Sequence, residues 1–181
     1  RKTPAENVRA LAEIKGRRIS EITVVVLERD RHVKLVEELR GAGARVHLIS
    51  DGDVAPAVAT CLPDSGIDMV CGTGGAPEGV LSAAALHCMG GFFEGRLKFR
   101  SDGERQRAIA MGVSEPDRLF AMSDLVRGEV IFVATGVTSG PLLKGVRRIG
   151  DRLHLQTLAM RSSTGTVRFV DTTVRADRFH T

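Results

Sequence analysis

Between Ile67 and Leu86 the chain passes from a short apolar run, through three glycines in four positions, straight into an alanine-rich segment. Ile67, Met69, Val70 and Cys71 predict the end of a buried strand. Gly72, Gly74 and Gly75 permit positive φ and a close approach of the backbone to a ligand. Ala76-Pro77-Glu78 then opens a helix, with Pro77 in the first turn, where its missing N–H costs nothing. Strand, glycine loop and helix N-terminus together make a place for an anion, because free amides and the helix dipole point outward. Glu78 reads two ways. As a first-turn acid it complements the dipole by roughly 0.3–1 kcal/mol; beside an anion, a carboxylate also makes sense when a cation lies between them.

The same order of strand, polar loop and helix occurs twice earlier. Ile22–Leu27 is a β-branched run that predicts a strand buried on both faces, followed by the charged turn Glu28-Arg29-Asp30-Arg31-His32. A helix follows with Val33, Val36 and Leu39 inward, and Gly41-Ala42-Gly43 stops it. Val46–Ile49 is the next strand and runs into Ser50-Asp51-Gly52-Asp53 before a helix begins at Val54. In a largely parallel sheet all three loops lie at the carboxyl ends of the strands, on one edge. That brings Arg29 and Arg31, Asp51 and Asp53, and Gly75 with Glu78 within reach of one another. Asp51 and Asp53 could accept from sugar hydroxyls or hold a hard cation through oxygen; Asp53 could instead cap the next helix. Arg29 and Arg31 suit phosphate, which a guanidinium fork engages with two bonds; solvated loop charges are the plain alternative.

Around this centre, Thr3-Pro4-Ala5-Glu6 predicts a helix start, with Val8, Leu11, Ala12 and Ile14 at helical spacing up to Gly16. Phe92–Phe99 is a possible strand, 102–111 a helix and 130–134 another strand. His154–Ser162 and Gly165–Thr173 predict a closing hairpin across Ser163-Thr164.

With 181 residues the chain suffices for one domain burying roughly 70% of its unfolded surface, or for two very small ones. No run reaches the ~18 apolar residues of a membrane span, and no signal peptide opens the chain. It starts at Arg1, not Met, so a fragment is expected. Cys61, Cys71 and Cys88 lie among apolar neighbours without C-x-x-C spacing and read as reduced core residues of a cytoplasmic protein. Residues 1–50 carry 11 Lys/Arg against 7 Asp/Glu and residues 51–100 carry 3 against 6, so the basic excess is local. With Trp and Tyr absent and no basic block, nucleic-acid binding is not supported. Pro77 spoils a dinucleotide fingerprint, and neither a P-loop nor a G-x-S-x-G elbow occurs. His32, His47, His87, His154 and His180 are scattered and read as structural or solvated.

Four segments, in order, resemble the class II fructose-1,6-bisphosphatases: Asp51-Gly52-Asp53-Val54-Ala55-Pro56-Ala57; Gly74-Gly75-Ala76-Pro77-Glu78-Gly79-Val80; Gly140-Pro141-Leu142-Leu143-Lys144-Gly145-Val146; and Met160-Arg161-Ser162 with Gly165-Thr166-Val167-Arg168-Phe169. The resemblance implies an α/β fold with a mixed, largely parallel sheet between helices. It would be the substrate-side half of the sugar-phosphatase superfamily that includes the inositol monophosphatases. It further implies a cytoplasmic homo-oligomer hydrolysing the 1-phosphate of fructose 1,6-bisphosphate with Mn²⁺ or Mg²⁺, a gluconeogenic step. Photosynthetic members also take sedoheptulose 1,7-bisphosphate in the Calvin cycle.

By carry-over Glu78 matches a metal ligand, and Asp51, Gly52, Asp53 and Gly75 match substrate contacts. Arg29, Asp30 and Arg31 align with a substrate-binding segment that is usually basic-Pro-Arg; Asp30 in place of proline loosens the backbone and lowers the local charge. The resemblance covers only the carboxy-terminal part, slightly over half, of such an enzyme, and the other metal carboxylates belong to the amino-terminal part. Alone, residues 1–181 are therefore expected to be inactive. The first helix and both closing strands are expected to expose apolar faces. A sugar-phosphate-binding module without catalysis and a dinucleotide-binding domain are the alternatives.

Overall fold

The computed structural model describes residues 2–179, so Arg1 and His180 lie outside the described residues. The first helix, α1 (Pro4–Ile14), begins with the expected reciprocal cap: Thr3 Oγ1 accepts from the Glu6 amide at 3.2 Å, and the Glu6 carboxylate accepts from the Thr3 amide at 2.6 Å. Such a cap is worth about 1 kcal/mol. The helix buries Ala5, Val8 and Ala12, so its apolar face is taken up inside this chain rather than left open as expected. Ile14, at the fraying end, is the exception and stays exposed.

Strand β1 (Thr23–Leu27) follows, with Val24, Val25 and Val26 no more than 1% exposed, the two-sided burial its sequence predicts. Next come α2 (Val33–Gly41), β2 (Arg45–Ile49), α3 (Val54–Ala59), β3 (Met69–Val70) and α4 (Ala76–Met89). β1 lies between β2 and β3, parallel to both. The chain crosses outward from β1 through α2 and back through α3, and right-handed crossovers in opposite directions put their helices on opposite faces. Packing agrees: Leu39 of α2 joins Val8, Ile22, Val24 and Val26 in one core, while Val58 of α3 joins Ala85 and Cys88 of α4 in another. Within α2, Val33 is exposed, not inward as predicted. A 3₁₀ turn at Asp30–His32 precedes the helix, and His32 takes the buried place instead.

The remaining elements are β4 (Glu94–Gly95), α5 (Asp102–Ala110), β5 (Phe120–Ala121), α6 (Met122–Leu125), β6 (Ile131–Thr135), β7 (Arg147–Ile149), β8 (Arg152–Arg161) and β9 (Thr166–Arg175). The strand predicted over 92–99 shrinks to the two-residue ladder of β4 with β5, because its partner turns at once into α6. β8 is the spine of an antiparallel sheet: β9 pairs along its whole length, and β6 and β7 share its other side. The parallel and antiparallel pairings therefore occupy separate sheets, not one mixed, largely parallel sheet. Short turns join β7 to β8 and β8 to β9, and such turns allow only antiparallel pairing. The closing hairpin is right in place but longer at its tip, where residues 162–165 turn with Gly165 at φ +60. α4 packs between the layers, with Ala85 and Cys88 against Phe132, Leu158 and Met160. A helix covered on several sides is apolar nearly all round, and this accounts for its alanines.

Candidate functional site

From β1 the chain leaves over one face of the parallel sheet, and from β3 over the other. A crevice outside the carboxyl ends of two such strands is where open α/β sheets receive ligands. Three loops meet there: 28–32, 50–53 and 71–75.

The first and third loops are clamped at Thr73. Arg31 Nε and Nη2 donate to the Thr73 carbonyl at 3.0 and 2.7 Å, and His32 Nε2 accepts from the Thr73 amide at 2.8 Å. His32 Nδ1 lies 2.8 Å from the Leu27 carbonyl, at the end of β1. The glycines beyond serve space more than torsion. Only Gly72 among them has positive φ, and a Cβ there would lie 3.1 Å from His32 Cε1. A Cβ on Gly74 would lie 2.6 Å from Asp53 Oδ2 and 3.8 Å from Glu78 Oε2. The carboxylates of Asp53, on the second loop, and Glu78, in the first turn of α4, thus converge over bare backbone.

Glu78 fulfils its plain role, since its Oε2 accepts from the Gly75 amide at 2.7 Å and caps α4. Asp53 does not: it stands at the N-cap position of α3 with helical torsions, and its carboxylate caps nothing. Partial burial, then the charges of Glu78 and Asp51, push the Asp53 carboxyl up from its ordinary value. Asp51 turns back on its own loop, its Oδ1 accepting from the Gly52 amide at 2.9 Å, with Gly52 at φ +80. Among the described residues none of these three carboxylates forms an ion pair with Lys or Arg. Arg29 points elsewhere, Nη1 donating to the Glu28 carbonyl, and Asp30 starts the 3₁₀ turn.

Crowded, unneutralised carboxylates are the hard-oxygen donor type that Mg²⁺ or Mn²⁺ prefers. Among the described residues, however, no three His, Cys, Asp or Glu side chains come close enough to hold a metal. The set fits a divalent cation in kind and is partial in number. The cysteines stay out of this chemistry: burial pushes all three thiols up, with Cys88 buried and Cys61 and Cys71 half-buried. The sequence reading of His32 as structural or solvated resolves to a buried ring joined to Thr73, a residue to which the sequence assigned no role. The signal for His32 was its place beside Arg31, directly after the most buried strand.

The family model described as "Bacterial fructose-1,6-bisphosphatase, glpX-encoded" matches residues 1–174. Among curated proteins, the D-fructose 1,6-bisphosphatase class 2/sedoheptulose 1,7-bisphosphatase of Synechococcus sp. (strain JA-3-3Ab) is 42% identical over 93% of this chain and 52% of its own length. The protein of that name from Synechocystis sp. (strain ATCC 27184 / PCC 6803 / Kazusa) is 41% identical over 94% of this chain and 53% of its own. That from Microcystis aeruginosa (strain NIES-843 / IAM M-2473) is 40% identical over 98% and 55%. The chain spans about half the length of the curated relatives it matches. Carrying the family's pattern from residue 1 to residue 174, it belongs to the bacterial class II fructose-1,6-bisphosphatases.

Proposed function

We propose that this chain is the carboxy-terminal, substrate-side part of an enzyme that hydrolyses the 1-phosphate of fructose 1,6-bisphosphate, built on the inositol monophosphatase-like fold. The observation that carries the reading is the convergence of Asp53, from the second loop, and Glu78, from the first turn of α4, over Gly74 without a cationic partner among the described residues. The relatives' printed names, which join fructose 1,6- and sedoheptulose 1,7-bisphosphate, support the substrate class.

Mn²⁺ or Mg²⁺, when bound, neutralises phosphate oxygens and polarises the ester. In this chain Glu78 would help hold the cation through the oxygen not engaged by Gly75. Asp51 and Asp53 accept from ketose hydroxyls, and Gly52 and Gly75 let the sugar approach the backbone. Arg29 and Arg31, either side of Asp30, would supply guanidinium groups to the remote phosphate, Arg29 on leaving the Glu28 carbonyl, and its capture would orient the ester for attack. The enzyme works in the cytoplasm as a homo-oligomer. A second reading, a sugar-phosphate-binding module without catalysis, is favoured by the absence of three converging metal ligands among the described residues.

One assay decides between them. Fusing the amino-terminal half of the Synechococcus relative to this chain should give Mn²⁺-dependent phosphate release from fructose 1,6-bisphosphate, whereas the chain alone releases none. A chimaera that binds the bisphosphate without turnover supports the module. Release by the chain alone overturns the split site.

A further inference from the structure

Two adjacent side chains, Arg31 and His32, hold the carbonyl and the amide of Thr73, and the second of them is the only buried histidine among the described residues. Its ring chemistry is set by its partners. The Leu27 oxygen can only accept, so Nδ1 carries the proton; the Thr73 amide can only donate, so Nε2 is bare. The same ring lies against Gly72, where any Cβ would press on Cε1 and Nε2 at 3.1 and 3.3 Å. One imidazole thus ties the end of β1 to the glycine loop, two residues before Gly75 and one before the glycine that Asp53 and Glu78 approach.

We infer that His32 is a positioning residue for the site: a neutral, Nδ1-protonated imidazole that sets the path of the glycine loop through the Thr73 amide. The assignment rests on the functional reading above for its consequence, though not for its geometry. Freed from His32, Thr73 keeps only the exposed Arg31 fork, and the backbone that brings Gly74 and Gly75 to the carboxylates loses its buried anchor. The substrate and the cation then meet a loop that samples several positions.

Two substitutions separate the ring's two bonds. His32→Gln keeps an acceptor where Nε2 stands, and His32→Asn keeps a donor facing Leu27 but cannot reach Thr73. In the 181-residue chain, imidazole ¹⁵N shifts should report a protonated Nδ1 and a bare Nε2. Hydrogen exchange at the Thr73 amide should stay slow in His32→Gln and become fast in His32→Asn. In the chimaera, His32→Asn should cost about 10-fold or more in kcat/KM while His32→Gln stays within about threefold, the scale expected of small misplacements of reacting groups. The two variants should have matched melting temperatures. An Nε2-protonated ring, or equal Thr73 exchange in the two variants, overturns the clamp. Wild-type kcat/KM in His32→Asn overturns the positioning role. A chimaera that never turns over sinks the bisphosphatase reading and leaves the exchange result to decide the clamp. The tautomer measurement needs no variant, so it tests the clamp even where a substitution prevents folding.

Discussion

Glu78 uses one oxygen to cap its own helix, and the other makes no hydrogen bond among the described residues. Glu78→Gln can keep the Gly75 bond while removing the charge. In the chimaeric enzyme we expect turnover to fall on the order of 100-fold or more, since cation stabilisation of developing charge is worth several kcal/mol. The melting temperature should change little, since a first-turn charge contributes no more than roughly 0.3–1 kcal/mol. Full turnover at limiting Mn²⁺ would leave Glu78 as a helix cap and nothing else. The two arginines of the first loop should separate in steady-state kinetics. Among the described residues Arg29 bonds only the neighbouring Glu28 carbonyl, so Arg29→Ala should raise KM and leave kcat alone, as lost uniform binding does. Arg31 also holds Thr73, so Arg31→Ala should lower kcat as well, and Arg31→Lys should not restore it because an ammonium lacks the two-pronged fork. An unchanged kcat in Arg31→Ala would separate Arg31 from the loop's geometry.

Among the elements, α1 is fastened to the parallel sheet at one buried carboxylate. Asp68, with its side chain 5% exposed, accepts from Lys15 Nζ at 2.6 Å, from Arg17 Nη1 at 2.8 Å and from the Thr23 amide at 2.9 Å. Burial raises its carboxyl, but the Lys15 hydrogen bond, the Thr23 amide and the two nearby cations outweigh it and hold it below the ordinary value. In the folded chain Asp68 therefore releases its proton more readily than in the unfolded chain. Its contribution is present above the unfolded value of about 3.9 and is lost as pH falls through the folded one. Asp68→Asn should lower the melting temperature at pH 7, and the gap from wild type should begin to narrow as the pH drops below about 4 and go on narrowing through the lower, folded value. A gap that persists in acid would assign the loss to packing rather than to charge.

For the whole molecule, the antiparallel sheet has a face and an edge without cover. Ile131, Val133 and Val170 are exposed on the side opposite buried Phe132, Leu158 and Met160, and β9 pairs only with β8 among the described residues. Of the two closing strands expected to expose apolar faces, β9 does so at Val167, Phe169 and Val170, whereas β8, like α1, departs from the expectation. A ten-residue edge of this kind is a template for another strand. We expect the 181-residue chain to self-associate in sedimentation experiments. Adding the relative's amino-terminal half as a separate chain should reduce that association and restore turnover together. A chain that stays monomeric at high concentration would mean that this face needs no partner.

What the amino-acid order determined by itself is short in range. The cap at Thr3 and Glu6, the two-sided burial of Val24–Val26, the glycine loop and the first turn of α4 all depend on residues a few positions apart, where periodicity and capping chemistry act. The repeated strand–loop–helix order also placed the loops on one edge, because parallel strands leave them no other side. The tertiary structure alone decided which side chains meet there. Asp53 reads either as a site carboxylate or as a helix cap until the fold turns its carboxylate toward Gly74 and Glu78 and leaves the helix uncapped by it. His32 reads as one more scattered histidine until it reaches Thr73, 41 residues away. The separation of the parallel sheet from the four-stranded antiparallel one likewise goes with α4 packing between them. Such contacts join segments whose local sequences carry no record of each other, and they exist only once the layers have packed.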